Sequence, residues 1–319
     1  MREMYGQVIG LSQASRGDLP VLTTSPEPRA LGGAAGNVGQ RPINLVIPDT
    51  RRRQLLGFAP DNPITGPVAM HIMHLVIRHL KSWPRLMAVH RTHHLPPVIH
   101  RLQLLGDMPV QLANCYALVN MWADHTAASA KLYHTYDELG LLCAGQSLLM
   151  LMIVVFLCDQ NSASTGRDPD PAEAHILISV WNLKHRLAMT GLVLDAEFNN
   201  NMPEWGDWAM AEAKRRTVLS LHHLEWVWSL LHGYPILTCF ELGPLPAPGA
   251  GYLWSARDEQ AWRRQYESWL VFWKDGSFKI SEFFHMNADS PLSARAETWL
   301  AESDAFGALL MSEIKAVGD

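Results

Sequence analysis

The apolar run over residues 141–159 constrains the fold of this chain more than any other stretch. Eighteen consecutive residues of the run carry no formal charge, which matches the length of a membrane-spanning helix. Gly145, Gln146 and Ser147 interrupt the apolar character of its first half, and no Lys or Arg cluster flanks it to set an orientation in a membrane. The run therefore predicts a buried core helix within a large helical domain, and no membrane association.

The rest of the chain shows helical periodicity with proline or glycine at several segment ends. No segment alternates apolar and polar residues, so no sheet is predicted. We predict an all-α fold, a single large multi-helix domain around the buried apolar helix. The other helical segments are predicted at 63–83, 109–123, 128–139, 171–190, 204–231 and 258–272, and the 204–231 helix is predicted to be amphipathic.

The first part of the chain has a different composition. Residues 1–42 are rich in Gly, Ser, Pro and Ala without periodicity, which predicts a poorly ordered or loosely docked N-terminal arm. Residues 43–319 are then the helical domain.

Charge and cysteine usage limit the partners and the compartment. The net charge of −5 provides no basic field for nucleic acid, so no direct nucleic-acid binding is expected. The four cysteines lack C-x-x-C spacing, and no secretory signal precedes them, which favours an intracellular location, cytoplasmic or nuclear. The 12 Trp, 15 His and 14 Met residues suit a pocket for a bulky apolar small molecule, although protein cores use the same residues.

Five ordered motifs indicate a family. They are LPPVIHRLQ (95–103), LANCYALVNMW (112–122), LLCAGQSLLMLMI (141–153), EWGDWAMAEAKRRT (204–217) and LGPLPAPGAGYLWSA (242–256). Over roughly residues 70–270 the chain resembles the fungal-specific regulatory domain that follows the zinc DNA-binding module in transcription factors of specialised-metabolism clusters. The resemblance implies an architectural role for these motifs. The family's DNA-binding module needs clustered cysteines, and residues 1–60 contain none, so we expect the chain to act through the regulatory domain alone.

Polar side chains on apolar segments are candidates for chemistry. His100 follows the rigid Pro96-Pro97 pair and offers a neutral imidazole for a ligand carbonyl, or else ties a loop to a helix end. Asn114 and Gln146 are amides on apolar helices that must bond either a ligand or a loop backbone.

Glu212, Arg215 and Arg216 form the most distinctive group. Their i, i+3 and i+4 spacing lets one carboxylate reach both guanidinium groups. One arginine would then anchor a ligand carboxylate, enol or carbonyl, or the whole group is an internal ion network. Trp226 and Trp228 cannot share a helix face, which makes at least one of them a pocket or partner candidate.

These considerations give two sets of site residues. The predicted catalytic residues are His100, Arg215 and Arg216, and the predicted ligand-binding residues are Asn114, Trp122, Gln146, Glu212, Trp226 and Trp228. His71 and His74 share a helix face but lack a third ligand, so no metal site is predicted, and the absence of nucleotide and nicotinamide motifs predicts no cofactor.

Two functions fit this pattern. The first is a cofactor-independent cyclase, isomerase or pericyclase that holds an apolar terpenoid or polyketide intermediate in a shaped cavity. The second is a transcriptional regulator or co-regulator that lacks its own DNA-binding module and acts through a partner protein or a second copy. We favour the first because it needs no unseen partner, and expect a cavity beside the 141–159 helix if it holds.

Overall fold

The computed structural model describes residues 39–56, 66–90, 94–123, 138–158, 171–235, 240–286 and 291–316. Helices make up nearly all the secondary structure in these ranges, which confirms the all-α prediction. The main apolar core includes residues from Leu45 to Met311, and a second, smaller cluster contains Trp208, Leu253 and Trp262. The predicted N-terminal arm lies outside the described residues as far as residue 38.

The predicted central helix is α4. For orientation, α1 is Asp49–Leu55, α2 is Pro67–His90, α3 is Val110–Ala123 and α4 is Glu138–Ile153. A π-helical turn, Val154–Cys158, continues α4, and no residue of the two segments is exposed. Glu138–Cys158 is long and apolar enough to cross a membrane, but most of that length packs inside the protein against α2, α3 and the later helices Pro171–Met189 and Trp205–Leu231.

The helix α2 is longer than predicted. The sequence placed its end at Trp83, before Pro84, yet the helix continues to His90. Trp83 and Met87 are both buried in the core on either side of the proline. Their packing therefore outweighs the helix-breaking tendency of Pro84.

A short two-stranded ribbon docks the start of the described chain. β1, Gln40–Arg41, pairs antiparallel with β2, Val193–Leu194. The Lys214 ammonium donates to Gln40 Oε1 at 2.6 Å and to Glu138 Oε1 at 2.8 Å. Gly39, Gln40 and Arg41, which the sequence assigned to the arm, thus contact the helical body.

The longest helix runs through the centre of the fold. α5 is Pro171–Met189, α6 is Asp195–Phe198 and α7 is Trp205–Leu231. The prediction that α7 is amphipathic was wrong, because α2, α4 and α5 pack around it and five of its six charged residues, all except Asp207, are buried with its apolar ones. The remaining helices are α8 (Gly251–Trp254), α9 (Glu259–Phe272), α10 (Ile280–Phe283), α11 (Ala294–Glu302) and α12 (Ala305–Ala316).

Candidate functional site

The Glu212 cluster is the buried ion network at the N-terminal half of α7. It consists of Glu212, Arg215 and Arg216, together with Glu197 on α6 and Asp304 before α12. The three α7 side chains are almost completely buried, with at most 2% exposure. Since buried ions need compensating partners, the contacts of each one decide what the cluster can do.

Arg215 donates to three protein groups. Its guanidinium pairs with both carboxylate oxygens of Glu197 at 2.8 Å, a forked arrangement. It also donates to Glu212 Oε2 at 3.0 Å and to the Leu192 carbonyl at 2.9 Å. The second terminal nitrogen of Arg215 also lies 2.9 Å from Glu212 Oε2, so the ion pair with Glu212 involves two of its nitrogens.

Arg216 connects the Glu212 cluster to loops outside α7. It donates to Glu212 Oε1 at 2.8 Å and to Asp304 Oδ2 at 2.7 Å. Longer contacts of 3.4 Å reach the carbonyls of Pro97 and Gly249. The guanidinium also lies 4.2 Å from the ring centroid of Trp254, a cation–π contact that stabilises a desolvated charge.

Glu212 is held in its ionised form at the centre of this network. Burial alone would raise the pKa of its carboxyl group, but Arg215 and Arg216 outweigh burial and the net direction is downward. The backbone N–H of Gly249 donates a further hydrogen bond to Oε1 at 2.9 Å. A side chain at Gly249 would lie 2.9 Å from the Trp208 ring, so only glycine lets this backbone approach α7 so closely.

His100 ties its loop to α8. Its Nδ1 accepts from the backbone N–H of Leu102 at 3.3 Å, and its Nε2 lies 3.1 Å from the Trp254 carbonyl. The second contact requires a donor, so the imidazole carries its proton on Nε2. Burial lowers the pKa of His100 to about 4, and the side chain is therefore neutral near physiological pH.

This neutral imidazole makes stability depend on pH. The unfolded histidine takes up a proton near pH 6.5 whereas the folded one does so near 4, so stability is lost as the pH falls between these values. We expect a loss of about 3 kcal/mol from this group. Urea unfolding above pH 6.5 and near pH 4 measures this loss of stability. The His100→Gln variant should lose correspondingly less stability over the same pH range. If the variant and the wild-type protein show an identical pH dependence, His100 is not the group responsible.

Gln146 on α4 is fully buried and internally bonded. Its amide nitrogen donates to the Val98 carbonyl at 2.6 Å, and its Oε1 accepts from Gln103 at 2.8 Å. Gln103 in turn accepts from the backbone N–H of His100 at 2.8 Å. The amide therefore connects α4 to the loop after the double proline.

Four of the five sequence motifs meet through these contacts. The 95–103 segment bonds to the 141–153 helix through Gln146, and the 204–217 helix bonds to the 242–256 loop through Glu212. His100 joins the first and last of these motifs. Each motif thus supplies a hydrogen-bonding group that another motif satisfies.

Asn114 and Trp122 lie apart from this arrangement. Both are on α3, which packs on α2 and α4, and both are half-buried. The fifth motif is linked to α4 separately, because the Cys115 thiol donates to the Ser147 carbonyl at 3.7 Å.

Trp226 and Trp228 are both buried in the core, at 2% and 1% exposure. Trp228 Nε1 donates to Glu173 at 2.9 Å, which links α7 to α5. The expectation that one of these rings faces a pocket or a partner assumed an exposed face of α7, and the structure gives that part of α7 none.

The space beside α4 is filled on the side of Gly145. A Cβ placed at Gly145 would lie 3.2 Å from Leu187 and 3.5 Å from Thr217. The Gly145→Leu variant is therefore expected to lose about 1 to 3 kcal/mol of stability through overpacking. Urea denaturation measures it against Gly206→Leu, where a Cβ meets nothing within 4 Å. A fully stable Gly145→Leu protein would indicate an internal cavity at this point.

A second buried network lies near the C-terminal end of α7. The Glu225 carboxylate accepts from Arg51 of α1 at 2.7 Å and from Lys184 of α5 at 3.0 Å. The Trp181 Nε1 group donates to it as well, at 3.3 Å. Burial would raise the pKa of Glu225, but Lys184 and Arg51 lower it to about 2.

Sequence reasoning missed the partners of both networks. Glu197, Asp304 and Glu225 were not among the candidates, although the two adjacent arginines of α7 signal that more than one carboxylate must be nearby.

An exposed apolar surface lies at the end of α9. Phe198, Val271 and Phe272 are 63%, 73% and 75% exposed. The segments that follow α6 and α9 are joined, because the Asn200 amide donates to the Lys274 carbonyl at 2.9 Å. The Arg41 guanidinium lies 3.7 Å from the centroid of the Phe198 ring. We refer to Phe198, Val271 and Phe272 as the α6–α9 surface.

Among the described residues, no group of three or more His, Cys, Asp or Glu side chains is arranged to hold a metal ion. His71 and His74 are exposed on α2. No family model matches the chain, and no curated protein or solved structure matches it.

Proposed function

We propose that the chain is a regulatory domain of the fungal transcription-factor type, acting in specialised metabolism through a protein partner that supplies the DNA contact. The proposal rests mainly on the observation that the polar residues of the motifs form hydrogen bonds within the protein. Glu212, Arg216, His100 and Gln146 bond to one another's segments, as expected for the architecture of a scaffold.

The alternative is a cofactor-independent enzyme for an apolar intermediate. Such an enzyme needs a donor directed at a ligand carbonyl beside an apolar cavity. The predicted catalytic groups His100, Arg215 and Arg216 instead have protein acceptors within hydrogen-bond distance. These contacts favour the regulator.

Two further observations support action through a partner. The net charge of −5 opposes direct binding to DNA, so the partner is expected to provide that contact. The α6–α9 surface combines exposed phenylalanines with an arginine on a ring face, and both residue types are enriched at protein interfaces. The proposal places the protein inside the cell, in the nucleus or cytoplasm.

The test uses the full chain fused to a heterologous DNA-binding domain in a fungal reporter strain. The proposal expects the fusion to change reporter transcription relative to the DNA-binding domain alone. The Phe198→Ser/Phe272→Ser variant should lose most of this change, while Val110→Ser, which alters an equally exposed apolar residue on α3, should not.

Two results would overturn the proposal. One is a reporter that responds neither to the wild-type fusion nor to any variant. The other is saturable turnover of an apolar carbonyl compound by the purified chain that His100→Gln abolishes without unfolding it, which would establish the enzyme.

A further inference from the structure

The outer face of α2 is basic. Over its 24 residues the helix contains no Asp or Glu, although acidic residues outnumber basic ones in the whole chain, 31 to 26. Arg78 and Arg85 are exposed and Lys81 is half-buried. At spacings of three, four and seven residues these side chains lie on one side of the helix, one turn apart.

These three cations line a shallow concavity. Its volume is about 240 Å³, and its lining residues are Arg78, Lys81, Ser82, Arg85, Leu86 and Val89. The Ser82 hydroxyl donates to the His79 carbonyl at 2.6 Å, so the cations are the donors available to a ligand here.

The three cations have no carboxylate partner among the described residues, whereas Arg41, Arg51, Arg215 and Arg216 are all in ion pairs. Lys81 and Arg85 also act electrostatically on the Cys158 thiol, whose pKa burial raises overall. This places their side chains next to the π-helical turn that ends at Cys158, on which α2 packs. Three adjacent positive charges that no carboxylate of the described residues pairs with repel one another, and an anion between them would relieve that repulsion.

The concavity has an apolar end. Leu86 is half-buried and Val89 is 72% exposed, one helical turn beyond Arg85. A ligand that places its charge among Arg78, Lys81 and Arg85 therefore brings its next few atoms against Leu86 and Val89.

We propose that this concavity of α2 binds a phosphomonoester whose ester group is apolar. A phosphomonoester carries close to two negative charges and three acceptor oxygens on one atom, which matches three cationic donors one turn apart. Arginine also forms forked hydrogen bonds with phosphate oxygens. The proposal does not depend on the regulatory function, because its residues are separate from the α6–α9 surface.

Isothermal titration of the full chain with phenyl phosphate tests the site. We expect saturable binding that is about fivefold tighter than that of inorganic phosphate, because the ring contacts Leu86 and Val89. Arg78→Gln and Arg85→Gln should each weaken both ligands about fivefold. Val89→Asn should weaken phenyl phosphate alone, and Arg264→Gln on α9, which removes the same charge from another exposed position, should change neither.

Vesicles distinguish the two sources of such a ligand. Binding of phenyl phosphate without sedimentation on phosphatidylcholine vesicles that contain phosphatidic acid supports a free phosphorylated metabolite. Sedimentation that Arg78→Gln and Arg85→Gln abolish supports a lipid headgroup. The proposal is overturned if neither probe binds, or if Arg264→Gln weakens binding as much as the α2 variants do. The substituted residues are exposed, so melting temperatures should remain unchanged.

Discussion

The Glu212→Gln variant is expected to unfold with a free energy about 3 to 5 kcal/mol lower than that of the wild-type protein. Glu212 is completely buried and pairs with two guanidinium groups that are buried as well. A neutral amide would remove one of the two carboxylates that each arginine contacts, leaving Arg215 with Glu197 and Arg216 with Asp304. Urea denaturation followed by circular dichroism measures the change.

Methionine substitutions separate a ligand anchor from a structural ion. If one arginine were a pocket anchor, its replacement would leave stability nearly unchanged and abolish ligand binding. The contacts instead predict that Arg215→Met and Arg216→Met both destabilise the protein, because each leaves buried carboxylate oxygens without a partner. The matched control is Arg263→Met, whose ion pairs are at the surface and whose midpoint should not move. A stable Arg215→Met or Arg216→Met protein would contradict the network.

The Glu225→Gln variant is expected to be at least as unstable as Glu212→Gln, by about 3 to 5 kcal/mol or more. Its carboxylate compensates both Arg51 and Lys184, and these cations have exposures near zero. Without the charge of Glu225, two buried cations repel each other while α1 and α5 remain packed on α7.

A double variant tests this explanation. Lys184→Met in the Glu225→Gln background removes one uncompensated cation and should recover part of the lost stability, a coupling that urea titrations of the single and double variants reveal. Strict additivity would show that charge compensation is not the cause. Glu204→Gln provides the control. The Glu204 side chain is 71% exposed and forms a surface ion pair, so its substitution should change the free energy of unfolding very little.

The sequence was sufficient to predict the elements whose signals are local. The uncharged run over residues 141–158 lies in the buried helix α4 and the π-helical turn that continues it, and Glu212 reaches both Arg215 and Arg216 as their spacing indicated. For His100 the sequence left two roles open, a contact to a ligand or a link between a loop and a helix end. The structure shows the link, because both ring nitrogens bond to backbone groups.

What the sequence could not provide is the set of long-range partners. Asp304 lies 88 positions from Arg216, and Arg51 lies 174 positions from Glu225, so no local pattern connects them. The lack of long-range information also explains why α7 was wrongly predicted to be amphipathic. Its polar residues have the spacing of a solvent-exposed face, but their compensating charges come from distant parts of the chain. Pro84 led to the prediction that α2 ends before it, but tertiary packing on both sides of the proline keeps the helix continuous.

We propose that the buried motif residues hold the fold while the α6–α9 surface carries the function. Reporter output of the tethered chain, divided by the amount of folded protein, tests it most directly for Arg216→Met and Phe272→Ser. We expect wild-type output per folded molecule for Arg216→Met below its melting transition, and loss of most output for Phe272→Ser at full stability. The reverse pattern, with Arg216→Met inactive although folded and Phe272→Ser fully active, would contradict it.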